Sequence, residues 1–176
     1  DWFKAEIDLH YPEYASPPPT TYSLETVING LSQPLCLASP PGDSERLFVC
    51  EKGGLLEVIP DITADPPSAS TFLDLPSLLT SRGESINAGS ESGLLGLAFH
   101  PDHDENGWFY IFYSVNISGN RYQRVSRFSV RAGNPNLADT TSELVLIEQR
   151  DQAGNHNGGD LHFGPDGYLY ISVGDE

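Results

Sequence analysis

The sequence predicts an all-β fold built of repeated four-stranded antiparallel blades, and three observations predict it. From Tyr22 onward, short apolar runs rich in Val, Ile, Phe and Tyr alternate with clusters of Gly, Pro, Asp and Asn, the pattern of strands joined by tight turns. No long stripe of apolar residues at helical spacing interrupts them, and only residues 75–81 have the makings of one short helical turn. The third observation is an internal repeat, the most informative feature of the chain.

Three segments of the repeat align. The first is Leu35-Cys36-Leu37-Ala38-Ser39-Pro40-Pro41-Gly42-Asp43, followed by Leu47-Phe48-Val49-Cys50. The second is Leu94-Leu95-Gly96-Leu97-Ala98-Phe99-His100-Pro101-Asp102, followed by Trp108-Phe109-Tyr110-Ile111-Phe112-Tyr113. The third is Gly159-Asp160-Leu161-His162-Phe163-Gly164-Pro165-Asp166-Gly167, followed by Tyr168-Leu169-Tyr170-Ile171-Ser172-Val173. Each is a small apolar strand, a proline-containing turn and an aromatic, β-branched strand. The turn prolines Pro41, Pro101 and Pro165 lie 60 and 64 residues apart. That interval leaves room for two further strands per repeat. Residues 56–60 and 70–75 supply them for the first blade, and residues 125–130 and 143–149 for the second. Radial repetition of such blades is a β-propeller, in which few strand edges stay exposed. Shared turn chemistry such as Pro-Asp-Gly recurs in unrelated hairpins too, but here spacing and strand character agree with the turns.

Residues 1–23, with Tyr11-Pro12 and Ser16-Pro17-Pro18-Pro19, have no sustained period and read as an extended arm or linker. Residues 24–176 read as a partial propeller of about two and a half blades, truncated at its C-terminal side. Such an arc leaves sheet faces and edges uncovered, so the isolated chain is expected to fold poorly.

The formal charge of −16, from 25 acidic and 9 basic residues, repels phosphate backbones and argues against nucleic-acid binding. The acidic residues are dispersed and not gathered in a tail, as on a solvated surface. No apolar run is long enough to span a bilayer. Cys36 and Cys50 flank the Pro40-Pro41-Gly42-Asp43 turn. Across a hairpin they form either a disulfide, suited to a periplasmic or secreted protein, or two small buried thiols, and register decides between them.

Propeller geometry places the chemistry before any residue is chosen. The start of each innermost strand and the end of the second lie on the same rim. Glu91-Ser92-Gly93, Asn155-His156-Asn157-Gly158-Gly159 and Gly174-Asp175-Glu176 therefore converge there. Histidine suits proton abstraction, since its unperturbed pKa of about 6.5 keeps the neutral imidazole available near neutral pH. A histidine that only holds a glycine-rich loop is the structural alternative, as a solvated loop carboxylate is for Glu91.

The stretch Gly93-Leu94-Leu95-Gly96-Leu97-Ala98-Phe99-His100-Pro101-Asp102 resembles one signature of the soluble PQQ-dependent glucose/sorbosone dehydrogenases. The stretch from Asn155-His156-Asn157-Gly158-Gly159-Asp160-Leu161-His162-Phe163 through Val173-Gly174-Asp175 resembles a second and more specific one, and the resemblance covers about residues 24–176. It implies a six-bladed propeller that oxidises an aldose at the anomeric carbon to the lactone, with PQQ and calcium as cofactors and an external electron acceptor. His156 matches the family's general base. Glu91 and Asn155 fall at the sugar, where glucose-oxidising members carry glutamine and aspartate, which argues for another aldose or a different ligand. Flanking glycines would let the backbone approach a planar cofactor. The family's calcium ligands and its quinone-contacting arginine and lysine lie further along than this chain. The same propeller occurs in hedgehog-interacting-type proteins, some without evident catalysis, so a binding module is the alternative reading. A calcium-dependent lactonase-type hydrolase is another, weakly permitted by Glu91, Asn155 and Asp175.

Three other motifs invite functional readings. Asp102-His103-Asp104-Glu105-Asn106-Gly107 begins like a calcium-binding EF-hand loop but has Tyr113 at its twelfth position, and reads as a polar hairpin turn. His100 and His103 in that turn read as incidental rather than metal-ligating. Asn116-Ile117-Ser118 is a glycosylation sequon, meaningful in a eukaryotic secreted protein.

Overall fold

A computed structural model describes residues 26–175. The expected arm, residues 1–23, and Glu176 lie outside the described residues. Strands β1 (Pro34–Ala38), β2 (Leu47–Glu51), β3 (Leu55–Ile59) and β4 (Ser70–Asp74) pair in sequence order as one antiparallel sheet, blade one. A short helix follows, α1 (Leu75–Thr80), where the sequence pattern expects it. Asp74 caps it by accepting the Ser77 N–H at 2.9 Å, and proline occupies its first turn, where no intrahelical N–H is needed.

Blade two comprises β5 (Glu84–Ile86), β6 (Leu94–Phe99), β7 (Trp108–Ile117), β8 (Asn120–Arg131) and β9 (Asn134–Asp151). Strands β5 and β6 both pair with β7, β6 along its first half and β5 at its end. A one-turn helix, α2 (His103–Asn106), connects β6 to β7 and is closed by Gly107 at φ 67. Strands β10 (Leu161–Phe163) and β11 (Leu169–Ile171) form the inner hairpin of a third blade. The three repeat hairpins close on equivalent pairs, Ala38 with Phe48, Phe99 with Phe109 and Phe163 with Leu169.

Period-two alternation explains why β7 reads as an unbroken apolar run. Phe109, Ile111 and Tyr113 face blade one, while Tyr110 and Phe112 face blade three, so both faces are buried. Phe48 packs edge-on against Phe72 within blade one and against Phe99 of blade two, with centroids 4.9 Å apart in each pair. Such contacts add about 0.5–1.5 kcal/mol to the burial itself. Between blades two and three, Tyr110 meets Phe163 edge-on at 5.3 Å and Leu161 is buried. Cys36 faces Cys50 in register and the two are joined in a disulfide, with Cα atoms 5.2 Å apart. The thiol alternative is thereby removed.

Several strand bounds differ from the sequence pattern. Strand β9 starts at Asn134, well before the apolar residues expected to define it, because bulged pairing with β8 extends the ladder through a polar stretch. Strand β5 has no apolar alternation and takes its place from pairing with the end of β7.

Candidate active site

The three expected clusters meet on one rim. The loop before β10 places His156 with φ 57, in the left-handed region that costs a non-glycine residue about 1–2 kcal/mol. Two other segments hold it there. Its backbone N–H donates to the Glu91 carboxylate, from the loop before β6. Its ring Nδ1 lies 2.9 Å from Asp175 Oδ1, from the segment after β11. The next residue, Asn157, is buried and donates through Nδ2 to Ser92 Oγ at 3.0 Å.

The Asp175 contact assigns the tautomer. An ionised carboxylate only accepts, so Nδ1 carries a proton, and in the neutral ring Nε2 keeps its lone pair. The His156 side chain is 57% exposed. A neutral imidazole oriented through one nitrogen and open at the other can take a proton from a bound hydroxyl.

The glycines of this segment do something other than expected. Gly158 (φ 69) and Gly159 (φ 114) turn toward protein and not toward an open face: a Cβ at Gly158 would sit 2.6 Å from the Ser172 carbonyl oxygen, and one at Gly159 2.6 Å from Leu95 Cβ. A Cβ at Gly96 would sit 1.9 Å from the Gly159 oxygen, and one at Gly174 would collide with the His156 carbonyl. These residues let β6, the histidine loop and the end of β11 approach one another, which corrects the reading that they admit a cofactor.

Beneath the rim lies a buried polar chain. Ser114 Oγ donates to Gln123 Oε1 at 2.8 Å, Gln123 Nε2 to Asp151 Oδ2 at 3.0 Å, and Asp151 Oδ1 accepts the Gly154 N–H at 2.8 Å. It ties the start of the histidine loop to β7 and β8. Glu91 and Asn155 are both exposed on the rim. Asn155 makes no side-chain hydrogen bond among the described residues, leaving its amide open to solvent.

The sequence pattern brought Asp175 to the rim without identifying it as the partner of His156, and it missed the Ser92–Asn157 tie. Both depend on side-chain direction, which spacing alone does not give. His100 and His103 lie on the opposite rim. His100 Nδ1 accepts the Asp102 N–H at 3.0 Å, and His103 Nδ1 lies 2.9 Å from the Trp108 carbonyl oxygen, so both order their own turn. Among the described residues no group of three or more His, Cys, Asp or Glu side chains is arranged to hold a metal ion.

A base with a free nitrogen and open acceptors suits a polyhydroxylated substrate. The rim carries the carboxylates of Glu91, Asp160 and Asp175, with Lys52 Nζ 2.6 Å from the Ser90 carbonyl oxygen and Arg121 donating to the Gln152 carbonyl oxygen at 3.1 Å. The cleft lined by His156, Asn157, Gln123 and Gly174 is about 20 Å³, room for little more than a water molecule. A cavity of about 810 Å³ lies away from this chemistry, on the face of blade one that carries Glu51 and Glu57. It contains no histidine and reads as an uncovered blade face.

The fold defines a partial β-propeller, with a histidine held between carboxylates on one rim. The family model described as Glucose / Sorbosone dehydrogenase matches residues 31–176, and the chain belongs to that family. It is 34% identical over 163 residues to Hedgehog-interacting protein of Homo sapiens, a match covering 88% of this chain and 22% of the relative. It is 25% identical over 175 residues to quinoprotein glucose dehydrogenase B of Acinetobacter calcoaceticus, covering 98% of this chain and 34% of the relative. The chain thus spans 22% and 34% of the length of these relatives. Its fold matches the PQQ-bound form of aldose sugar dehydrogenase from Streptomyces coelicolor with a TM-score of 0.68 at 24% identity, over 90% of this chain and 43% of that one. The soluble aldose sugar dehydrogenase of Escherichia coli in its apo form matches with a TM-score of 0.63 at 24% identity, over 82% and 38%. These likenesses establish the fold as a partial β-propeller.

Proposed function

We propose that the protein carrying this chain is a quinone-dependent dehydrogenase that oxidises an aldose at its anomeric carbon to the lactone, with His156 as general base. The observation that carries the reading is the His156–Asp175 contact, which puts a proton on Nδ1 and so makes Nε2 the acceptor of the neutral ring. Nε2 takes the proton of the C1 hydroxyl, and the resulting imidazolium is stabilised by the Asp175 carboxylate. Glu91 retains a carboxylate oxygen beyond the one that accepts the His156 N–H, and with the Asn155 amide it orients sugar hydroxyls. The quinone PQQ, with calcium, supplies the acceptor for the C1 hydride, and an external acceptor then reoxidises it. The Cys36–Cys50 disulfide supports a periplasmic or secreted location, since such bonds persist in oxidising compartments. Among the described residues no helix is long and apolar enough to cross a membrane.

Titration of the full-length protein with PQQ and calcium, followed by dye reduction with a panel of aldoses, tests the reading. Quinone binding with sugar-dependent dye reduction is expected. A well-folded protein that binds no quinone would overturn it. The 34% identity to Hedgehog-interacting protein favours a second reading, a recognition module using the same rim. That reading expects no quinone binding and a protein ligand instead.

A further inference from the structure

We propose that Glu91-Ser92 is a two-point clasp whose task is to fix the backbone of His156-Asn157 and thereby aim the His156 ring; this rests on the reading of His156 as the base. Two consecutive residues of one loop grip two consecutive residues of another, 65 positions along the chain in each case: the Glu91 carboxylate takes the His156 N–H, and Ser92 Oγ takes Asn157 Nδ2 at 3.0 Å. The two contacts differ in exposure. Ser92 and Asn157 are 1% and 6% exposed, whereas Glu91 sits at the surface.

Ser92 is itself anchored. Its N–H donates to the Gly89 carbonyl at 2.9 Å, and Asn87 Nδ2 lies 3.3 Å from its hydroxyl. The clasp is thus a fixed point on blade two, not a pair of mobile side chains. From the other side, Gly158 closes against Ser172 and Val173, so the histidine loop is pinned between two blades.

The need for a clasp follows from the left-handed φ of His156. A non-glycine residue released from that region relaxes to negative φ, which swings its side chain away. Asp175 cannot prevent this, because its side chain is 93% exposed and does not itself fix the ring. Asp175 sets which nitrogen holds the proton only while the clasp keeps the ring against it. Ser92 and Asn157 are positioning residues, buried behind the site and touching no substrate.

The test uses Ser92→Ala, Asn157→Ala and the double variant in the full-length protein reconstituted with PQQ and calcium. Each single variant is expected to lower kcat by about 10- to 100-fold with the sugar KM nearly unchanged, and the double variant to be no worse than either single one. Variants with a lower Tm but wild-type kcat, or with effects that multiply, would overturn the clasp. The long-range ¹H–¹⁵N spectrum of the His156 ring is the second measurement. The wild type is expected to show the proton fixed on Nδ1 and Ser92→Ala to show it shared between both nitrogens. E91Q, which keeps an acceptor oxygen for the His156 N–H, is expected to give the wild-type spectrum, and E91A the Ser92→Ala one. If the wild type shows no sugar-dependent dye reduction, the dehydrogenase reading fails and the spectrum alone decides: identical wild-type and Ser92→Ala spectra would overturn the clasp.

Discussion

The two rims of the arc both carry histidine, and they hold it in opposite ways. On one rim, His100 and His103 are engaged by groups of their own turn: Asp102, Asn106 and Trp108, none more than six residues away. His103 is buried and packs edge-on against Phe99 at 4.8 Å. On the other rim, His156 is held by Glu91 and Asp175, 65 and 19 residues away, and its ring stays open to solvent. A histidine satisfied by its own turn completes a loop. One assembled from three loops, with a nitrogen to spare, is available for chemistry.

Several substitutions can break or sharpen this contrast. The largest effect is expected from Asp175→Asn in the full-length protein. An amide can donate to Nδ1 and so force the proton onto Nε2, removing the base. Sugar-dependent dye reduction should fall about 100-fold, moderated by solvent around this exposed pair. Activity within threefold of wild type would mean that Asp175 does not set the tautomer.

A smaller effect is expected at the charged network that braces blade two beneath the rim. Arg124 is buried and pairs with Glu84 and Glu148, while the Glu143 carboxylate accepts from Tyr113 Oη at 2.7 Å and from Arg82. Burial raises the pKa of Glu143, but hydrogen bonds from Tyr113, Ser126 and Arg82 outweigh it and hold the carboxyl below the usual glutamate range. A pKa lowered in the folded state contributes stability that is complete above the unfolded value and lost as pH falls through the folded one. Glu143→Gln should therefore cost about 2 kcal/mol at neutral pH. The difference in Tm from wild type should shrink once the pH drops below about 4.3, the ordinary glutamate pKa. A pH-independent difference would show that Glu143 is not held ionised.

The smallest effect is expected from His100→Ala, which removes an acceptor for the Asp102 N–H and an edge-on contact with Trp108 at 5.5 Å. Stability should fall by about 1 kcal/mol with dye reduction retained. Loss of activity with unchanged stability would move the chemistry to the wrong rim.

The fold was legible because its signals are local. The turn prolines, the aromatic second strands and the sixty-residue spacing are all read within a few positions. The Asp74 cap and Pro76 likewise mark α1. Strand β5 and the first half of β9 were hidden, since their place comes from a partner strand and not from apolar alternation. The run Leu144-Val145-Leu146-Ile147 is wholly apolar, yet each residue is 41–45% exposed because β9 is the outermost strand of its sheet. At the site, the repeat brought Glu91, His156 and Asp175 to one rim, because inner-strand starts and second-strand ends must meet there. It did not show that Asp175 meets the ring, or that Ser92 meets Asn157. Those contacts depend on the turn of individual side chains and on a left-handed residue that the sequence does not mark.

The central claim is that the histidine held between loops carries the reaction and the one tied within its own turn does not. The direct test is sugar-dependent dye reduction by His156→Ala and His103→Ala full-length proteins, reconstituted with PQQ and calcium, with the Tm of each measured alongside. The expected result is a crossing: His156→Ala loses activity by about 1,000-fold at an unchanged Tm, while His103→Ala lowers the Tm and keeps its turnover. Full activity in His156→Ala would contradict the account.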